Sequence, residues 1–170
     1  LLFLLKKLYK KKNDLNILDF GGGIGIGYFY LTQNLNKKIN YTIVEIPSFI
    51  RNIKSHKEPK IKYHSKIILK KYDLINCCSV FQYIGDWKKE IKKLTKTKTK
   101  YIYFADMFVG NITSYVSLQN YYKNKIPHWF LNYNEFDNEL KKNNYKLVYK
   151  SKMNTTRLSF KLQVPMKNFI

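Results

Sequence analysis

Residues 17–27, Ile17-Leu18-Asp19-Phe20-Gly21-Gly22-Gly23-Ile24-Gly25-Ile26-Gly27, constrain this chain more than any other stretch. The first four read as a buried strand, and five of the chain's seven glycines follow within seven positions before a helical pattern begins. Glycine is placed where a backbone must take positive φ or lie close to a bound molecule, so strand, turn and helix together predict a ligand cradle. The spacing excludes one ligand class. A pyrophosphate-binding turn needs G-x-G-x-x-G, and its last position falls on Ile26, Tyr28 or Tyr30 when counted from Gly21, Gly23 or Gly25. What fits is acid-x-G-x-G-x-G, as Asp19, Gly21, Gly23 and Gly25, with Gly22 inside it. A second strand, Tyr41-Thr42-Ile43-Val44-Glu45, ends in an acid twenty residues after Gly25, about the separation at which a carboxylate accepts ribose hydroxyls.

A chain of 170 residues supports one domain with a substantial core, and the reading expects a single domain over residues 1–170. A 45% hydrophobic and 16% aromatic composition excludes a disordered chain. The net charge of +21 would ordinarily indicate nucleic acid or a membrane surface. Arg51 and Arg157 are the only arginines, however, and the lysines are scattered among Asn, Ile and Tyr. That pattern reads as compositional bias, with a general affinity for anionic substrates. Cys77 and Cys78 are adjacent in an apolar run, which makes neither a disulfide framework nor a metal site, so the reducing cytoplasm is the expected location. The apolar run at Leu1 to Leu5 is far below a membrane span, and its charges follow it, unlike those of a signal peptide. The chain starts without Met, and residues are expected upstream.

In chain order, Leu1, Leu4, Leu5 and Leu8 predict an amphipathic helix that packs beside the cradle's entrance or against an upstream part of the chain. The helix after the glycines carries Tyr28, Phe29, Leu31 and Leu35; Pro47 starts a short helix, and a weak third strand spans 60–64. Residues 72–80 form a near-continuous apolar strand, a loop follows over 81–86, and Asp86 caps a helix at 87–94. A fifth strand spans 101–105. This alternation predicts an α/β fold, a mostly parallel sheet with helices on both faces. Residues 110–132 lack a clear period and are crowded with aromatics, which predicts a long substrate-side lid. A helix at 135–143 and a closing hairpin from strands at 145–150 and 158–164 complete the reading, with the last strand antiparallel.

With these motifs the chain resembles a class I methyltransferase that uses S-adenosylmethionine (SAM), over nearly its full length. More narrowly, Leu18-Asp19-Phe20-Gly21-Gly22-Gly23, Val44-Glu45 followed by Pro47, Val80-Phe81-Gln82-Tyr83-Ile84, and Val116 to Gln119 before Pro127 resemble methyltransferases associated with bacterial capsule and O-antigen biosynthesis. The resemblance implies a Rossmann-like fold with SAM held by Asp19, Gly21, Gly22, Gly23 and Gly25. Glu45 would take the ribose, while Ser79, Val80 and Tyr83 would cover the cofactor from the end of strand four. It also implies O-methylation of a small sugar or phosphorylated glycan precursor. Many relatives carry an acid after strand three, where this chain reads His64-Ser65-Lys66.

Methyl transfer from a sulfonium is an in-line displacement, so the protein must hold the acceptor close and, for a hydroxyl, take one proton. His128 is a candidate base because its ordinary pKa lies near neutrality, and the alternative is a structural histidine. Gln119 and Tyr121 are candidates to orient the acceptor. Asp106 follows strand five, where ligands of open α/β sheets sit. The sequence lacks the Asn/Asp-Pro-Pro-Tyr motif of base amino-group methylation and the Pro-Cys nucleophile of pyrimidine methylation. No His and carboxylate set has metal-ligand spacing, so no metal is expected. RNA methylation and a catalytically inactive nucleotide-binding domain stand as alternative readings.

Overall fold

The computed structural model describes residues 1–53 and 58–152. Internal contacts divide the chain into two compact units. The first comprises residues 1–78 and 93–105, and the second residues 79–92 and 106 onward.

Unit one holds α1 (Leu2–Leu8), β1 (Asp14–Phe20), α2 (Ile26–Asn34), β2 (Lys38–Val44), α3 (Pro47–Asn52), β3 (Ile61–His64), β4 (Leu74–Cys78) and β5 (Ile102–Ala105). Its strands form one sheet in the order β3-β2-β1-β4-β5, and every pairing is parallel. The first three strands are laid down outward from β1 to one side, and the chain then returns to the other side of β1. The order therefore reverses at the carboxyl end of β1, where open α/β sheets bind ligands. The near-continuous burial of β1, β2 and β4 fits a sheet covered on both faces. Leu15, Ile17, Leu31, Tyr41, Ile43 and Leu74 form the core, with Leu5 of α1 buried among them. Thus α1 is part of this core, fixed further by Tyr9, whose hydroxyl donates to the Asp73 carbonyl.

The second unit begins at Ser79 and contains a short 3-10 turn (Phe81–Tyr83), the start of α4 (Trp87–Thr95), β6 (Val109–Gly110), β7 (Tyr115–Tyr121), β8 (Asn124–Asn132) and α5 (Tyr133–Lys142). The Asp86 carboxylate accepts from the Lys89 amide at 3.0 Å, so the expected cap of α4 is formed. The expected lid over 110–132 is instead a three-stranded sheet in the order β6-β8-β7, built on the antiparallel β7–β8 hairpin. The physical reason lies in an inverted pattern. Ser117, Gln119 and His128 point inward and are buried, whereas Val116 and Leu118 point outward and are exposed. Period-two burial is present, but hydrophobicity reads it with the wrong sign.

The expected strand at 145–150 is irregular chain, and its partner at 158–164 lies outside the described residues. The sheet of unit one is parallel throughout, and the antiparallel pairing occurs in the hairpin of unit two. Among the described residues, no helix is long and apolar enough to cross a membrane.

Candidate functional site

The cradle of unit one starts where β1 ends. The Gly21 amide donates to the Val44 carbonyl at 2.8 Å, tying the start of the turn to β2, and the Tyr63 hydroxyl donates to the Ile24 carbonyl at 3.2 Å, tying its far side to β3. Gly25 then caps α2 at φ 91°, in the left-handed region that side chains avoid.

Two different demands fill the run with glycine. At Gly23, φ is 56° and an added Cβ would meet nothing within 4 Å, so this side of the turn is open. Its amide donates to Glu45 Oε1 at 3.1 Å, and the other carboxylate oxygen accepts from the Ile46 amide at 3.0 Å. The expected pairing of glycine turn and spaced acid is therefore physical: Glu45 stands at the open lip of the turn. By contrast, a Cβ at Gly22 would lie 2.5 Å from Asp19 Oδ2, and one at Gly27 would lie 2.5 Å from the Tyr41 hydroxyl. Those two glycines make room for a buried polar floor.

That floor is Asp19 with two partners, Tyr41 and Asn76, which sequence reasoning missed. Tyr41 donates to Asp19 Oδ2 at 2.6 Å and Asn76 Nδ2 to Asp19 Oδ1 at 2.7 Å, and all three side chains are buried. Asp19 is 4% exposed, so it supports the turn from beneath and presents little surface to a ligand. Burial pushes the Asp19 carboxyl above the usual carboxylate range, against the pull of its two donors. The signal that could have found Tyr41 and Asn76 is their place on β2 and β4, the two neighbours of β1; they pair with Ile17 and Tyr103 in register and carry polar atoms inside apolar strands. Asn76 Oδ1 finds no hydrogen-bond partner among the described residues.

The remaining candidates lie in unit two. Ser79 and Asp106 follow β4 and β5 directly, and both sit at positive φ, 54° and 51°. Ser79 Oγ donates to the Asp106 carboxylate, and Gln82 Nε2 donates to the Asp106 carbonyl at 3.1 Å. Non-glycine residues at positive φ cost about 1–3 kcal/mol each and gather at functional sites. Tyr83 donates to Gln119 Oε1 at 2.9 Å, joining the 3-10 turn to the hairpin. Val80 precedes that turn and is half-buried.

His128 is 0% exposed and is boxed by the rings of Tyr83, Phe108 and Phe130, with centroids 5.3, 5.1 and 5.0 Å away. Burial lowers its pKa to about 4, outweighing upward pulls from nearby backbone groups and the Asp106 charge. It is a neutral, enclosed imidazole. Among the described residues, no group of three His, Cys, Asp or Glu side chains is placed to hold a metal.

Comparison with known proteins agrees with this geometry at the level of fold. No family model matches the chain, and no curated protein does. Solved structures do. A 1,6-didemethyltoxoflavin-N1-methyltransferase from Burkholderia thailandensis, with bound 1,6-didemethyltoxoflavin and S-adenosylhomocysteine, is 12% identical with a TM-score of 0.57, covering 86% of this chain and 66% of that one. The N-terminal domain of EvdMO1, in the presence of S-adenosylhomocysteine and D-fucose, is 11% identical with a TM-score of 0.57, covering 83% and 70%. A SAM-dependent methyltransferase from Mesorhizobium loti is 10% identical with a TM-score of 0.55, covering 82% and 77%. The chain thus has the Rossmann-like fold of SAM-dependent methyltransferases.

Proposed function

We propose that this protein is a SAM-dependent methyltransferase that methylates a hydroxyl of a small sugar or phosphorylated glycan precursor for surface polysaccharide. The observation that carries the cofactor reading is the open side of Gly23 with the Glu45 carboxylate on its amide. A ligand with neighbouring hydroxyls fits there, because Glu45 can exchange a backbone donor for a ribose donor. The turn also lacks the register that would hold a pyrophosphate. When bound, SAM supplies a methyl group on a sulfonium.

The chain's own residues divide the remaining work. Gly23 and Glu45 hold the cofactor, and Asp19 packs beneath Gly22, bonded to Tyr41 and Asn76, without reaching the ligand. Asp106 is the best proton acceptor for a hydroxyl, since its carboxylate is exposed and oriented by Ser79. His128 is a poor one: its low basicity and complete burial suit a packing role. Gln119, oriented by Tyr83, and Tyr121 on the same hairpin are the candidates for acceptor contacts.

The sugar reading rests on the narrower sequence resemblance and is supported by the D-fucose present with EvdMO1. The test is to incubate the full chain with methyl-labelled SAM and a pool of free sugars and nucleotide sugars, followed by mass spectrometry. A labelled methyl ether whose formation falls roughly 10²-fold in Asp106→Asn supports the assignment. Label appearing in RNA, or in no acceptor while SAM still binds, would overturn it.

A further inference from the structure

We propose that the outer face and tip of the β7–β8 hairpin dock on an anionic lipid surface. The inverted pattern of the hairpin is the starting point. Its polar side chains turn inward, so Val116 and Leu118 stand in solvent at 46% and 44% exposure, with Pro127 exposed opposite Leu118. Toward the tip, Asn120 pairs with Lys125 and Tyr121 with Asn124, leaving Tyr122-Lys123 as a two-residue connection. Tyr121 and Tyr122 are exposed, Tyr122 by 89%, and their rings pack edge to face at 4.9 Å.

The connection carries a backbone cost in favour of its side chain. Tyr122 sits at φ 52°, in a hairpin position where glycine or asparagine is ordinarily used. A bulky aromatic held there, and pointed into water, is better matched to something outside the chain than to folding.

Charge identifies the occupant. Residues 115–132 contain no Asp or Glu, whereas Lys123 and Lys125 lie at the tip, on a chain of net charge +21. Aliphatic side chains below, tyrosines between and lysines at the end match a headgroup boundary: hydrocarbon contact, amphipathic rings and attraction to anionic headgroups. A single-stranded nucleic acid would be met by stacking rings with Arg, and the hairpin offers Val116, Leu118 and Pro127 with no Arg at all.

The experiment is cosedimentation of the full chain with vesicles of phosphatidylcholine alone or mixed with phosphatidylglycerol. Binding is expected only to the mixed vesicles, and is expected to fall between about 0.1 M and about 1 M salt as the screening length shrinks from about 10 to about 3 Å. Lys123→Gln with Lys125→Gln should weaken partitioning by roughly 5-fold per lysine. Leu118→Ser should cost about 10-fold. Tyr122→Gly is the discriminating variant, since it relieves the backbone while removing the ring: its thermal melt should hold or improve while vesicle binding falls. Equal binding to neutral vesicles, variants that partition as the parent does, preferential capture of RNA, or self-association through these residues would each overturn the proposal.

Discussion

Tyr41→Phe removes one oxygen from the floor beneath the glycine turn, and its consequences can be worked from the structure. The phenol donates to Asp19 at 2.6 Å in a site where both side chains are buried. A hydrogen bond to a charged group contributes about 1.5–3 kcal/mol, and a neutral one about 0.5–1.5 kcal/mol. Asp19 is already raised above its ordinary value by burial, and losing a donor that favours the carboxylate raises it further. An acid raised in the fold contributes stability below its unfolded pKa and loses it as pH rises through the folded value. The variant's deficit should therefore be larger on the alkaline side of the Asp19 titration in the fold, where the carboxylate is charged, than on its acid side. It should shrink toward the neutral-bond figure as pH falls through that titration, which burial places above the usual carboxylate range. At about 2–4 °C per kcal/mol, the melting temperature should drop by about 3–12 °C where Asp19 is ionised. Thermal melts of both proteins across that range provide the assay. A deficit independent of pH, or one under about 0.5 kcal/mol throughout, would refute an ionised Asp19 held by this phenol.

The two glycine demands separate by substitution. Gly23→Ala meets open space, so it should cost only about 1–2 kcal/mol for its positive φ while abolishing calorimetric SAM binding. Gly27→Ala drives a Cβ onto the Tyr41 hydroxyl, so its main effect should be a loss of about 1–3 kcal/mol in denaturant unfolding. Glu45→Ala should weaken SAM by roughly 10-fold or more in a folded protein, and unchanged affinity would sink the ribose assignment. His128, lowered from 6.5 to about 4, favours the fold only when neutral, so its contribution is whole above about pH 6.5 and is lost on acidification toward pH 4. That loss is at most about 3 kcal/mol, and His128→Gln should remove this part of the pH dependence while turnover persists.

What the sequence made legible follows from what its patterns encode. Strands β1, β2 and β4 are buried on both faces and read as apolar runs, and the spacing of Asp19, the glycines and Glu45 marked the turn after β1 and the acid after β2, both at the ends of parallel strands. Tyr41 and Asn76 were silent, since a buried polar group announces itself only once its partner on the next strand is known. The β7–β8 hairpin was misread for the opposite reason: it buries Ser117, Gln119 and His128 around aromatic rings and exposes aliphatics, so the usual link between apolar and inward fails there. His128 looked like a base by its ordinary pKa, a property its burial removes.

The central position of β1 also bears on how the cradle forms in time. Its pairing with β2 closes a short stretch of chain through α2, whereas its pairing with β4 joins Ile17 to Leu74 and Asp19 to Asn76 across a far longer loop. Contacts of that range form slowly, because loop closure must precede any gain from them. On a chain emerging from the ribosome, the turn and Glu45 are present well before the residue that completes the floor beneath them. Cofactor capture by a nascent chain should thus begin only after residue 76 has emerged, which makes ligand affinity a clock for the docking of β4 against β1.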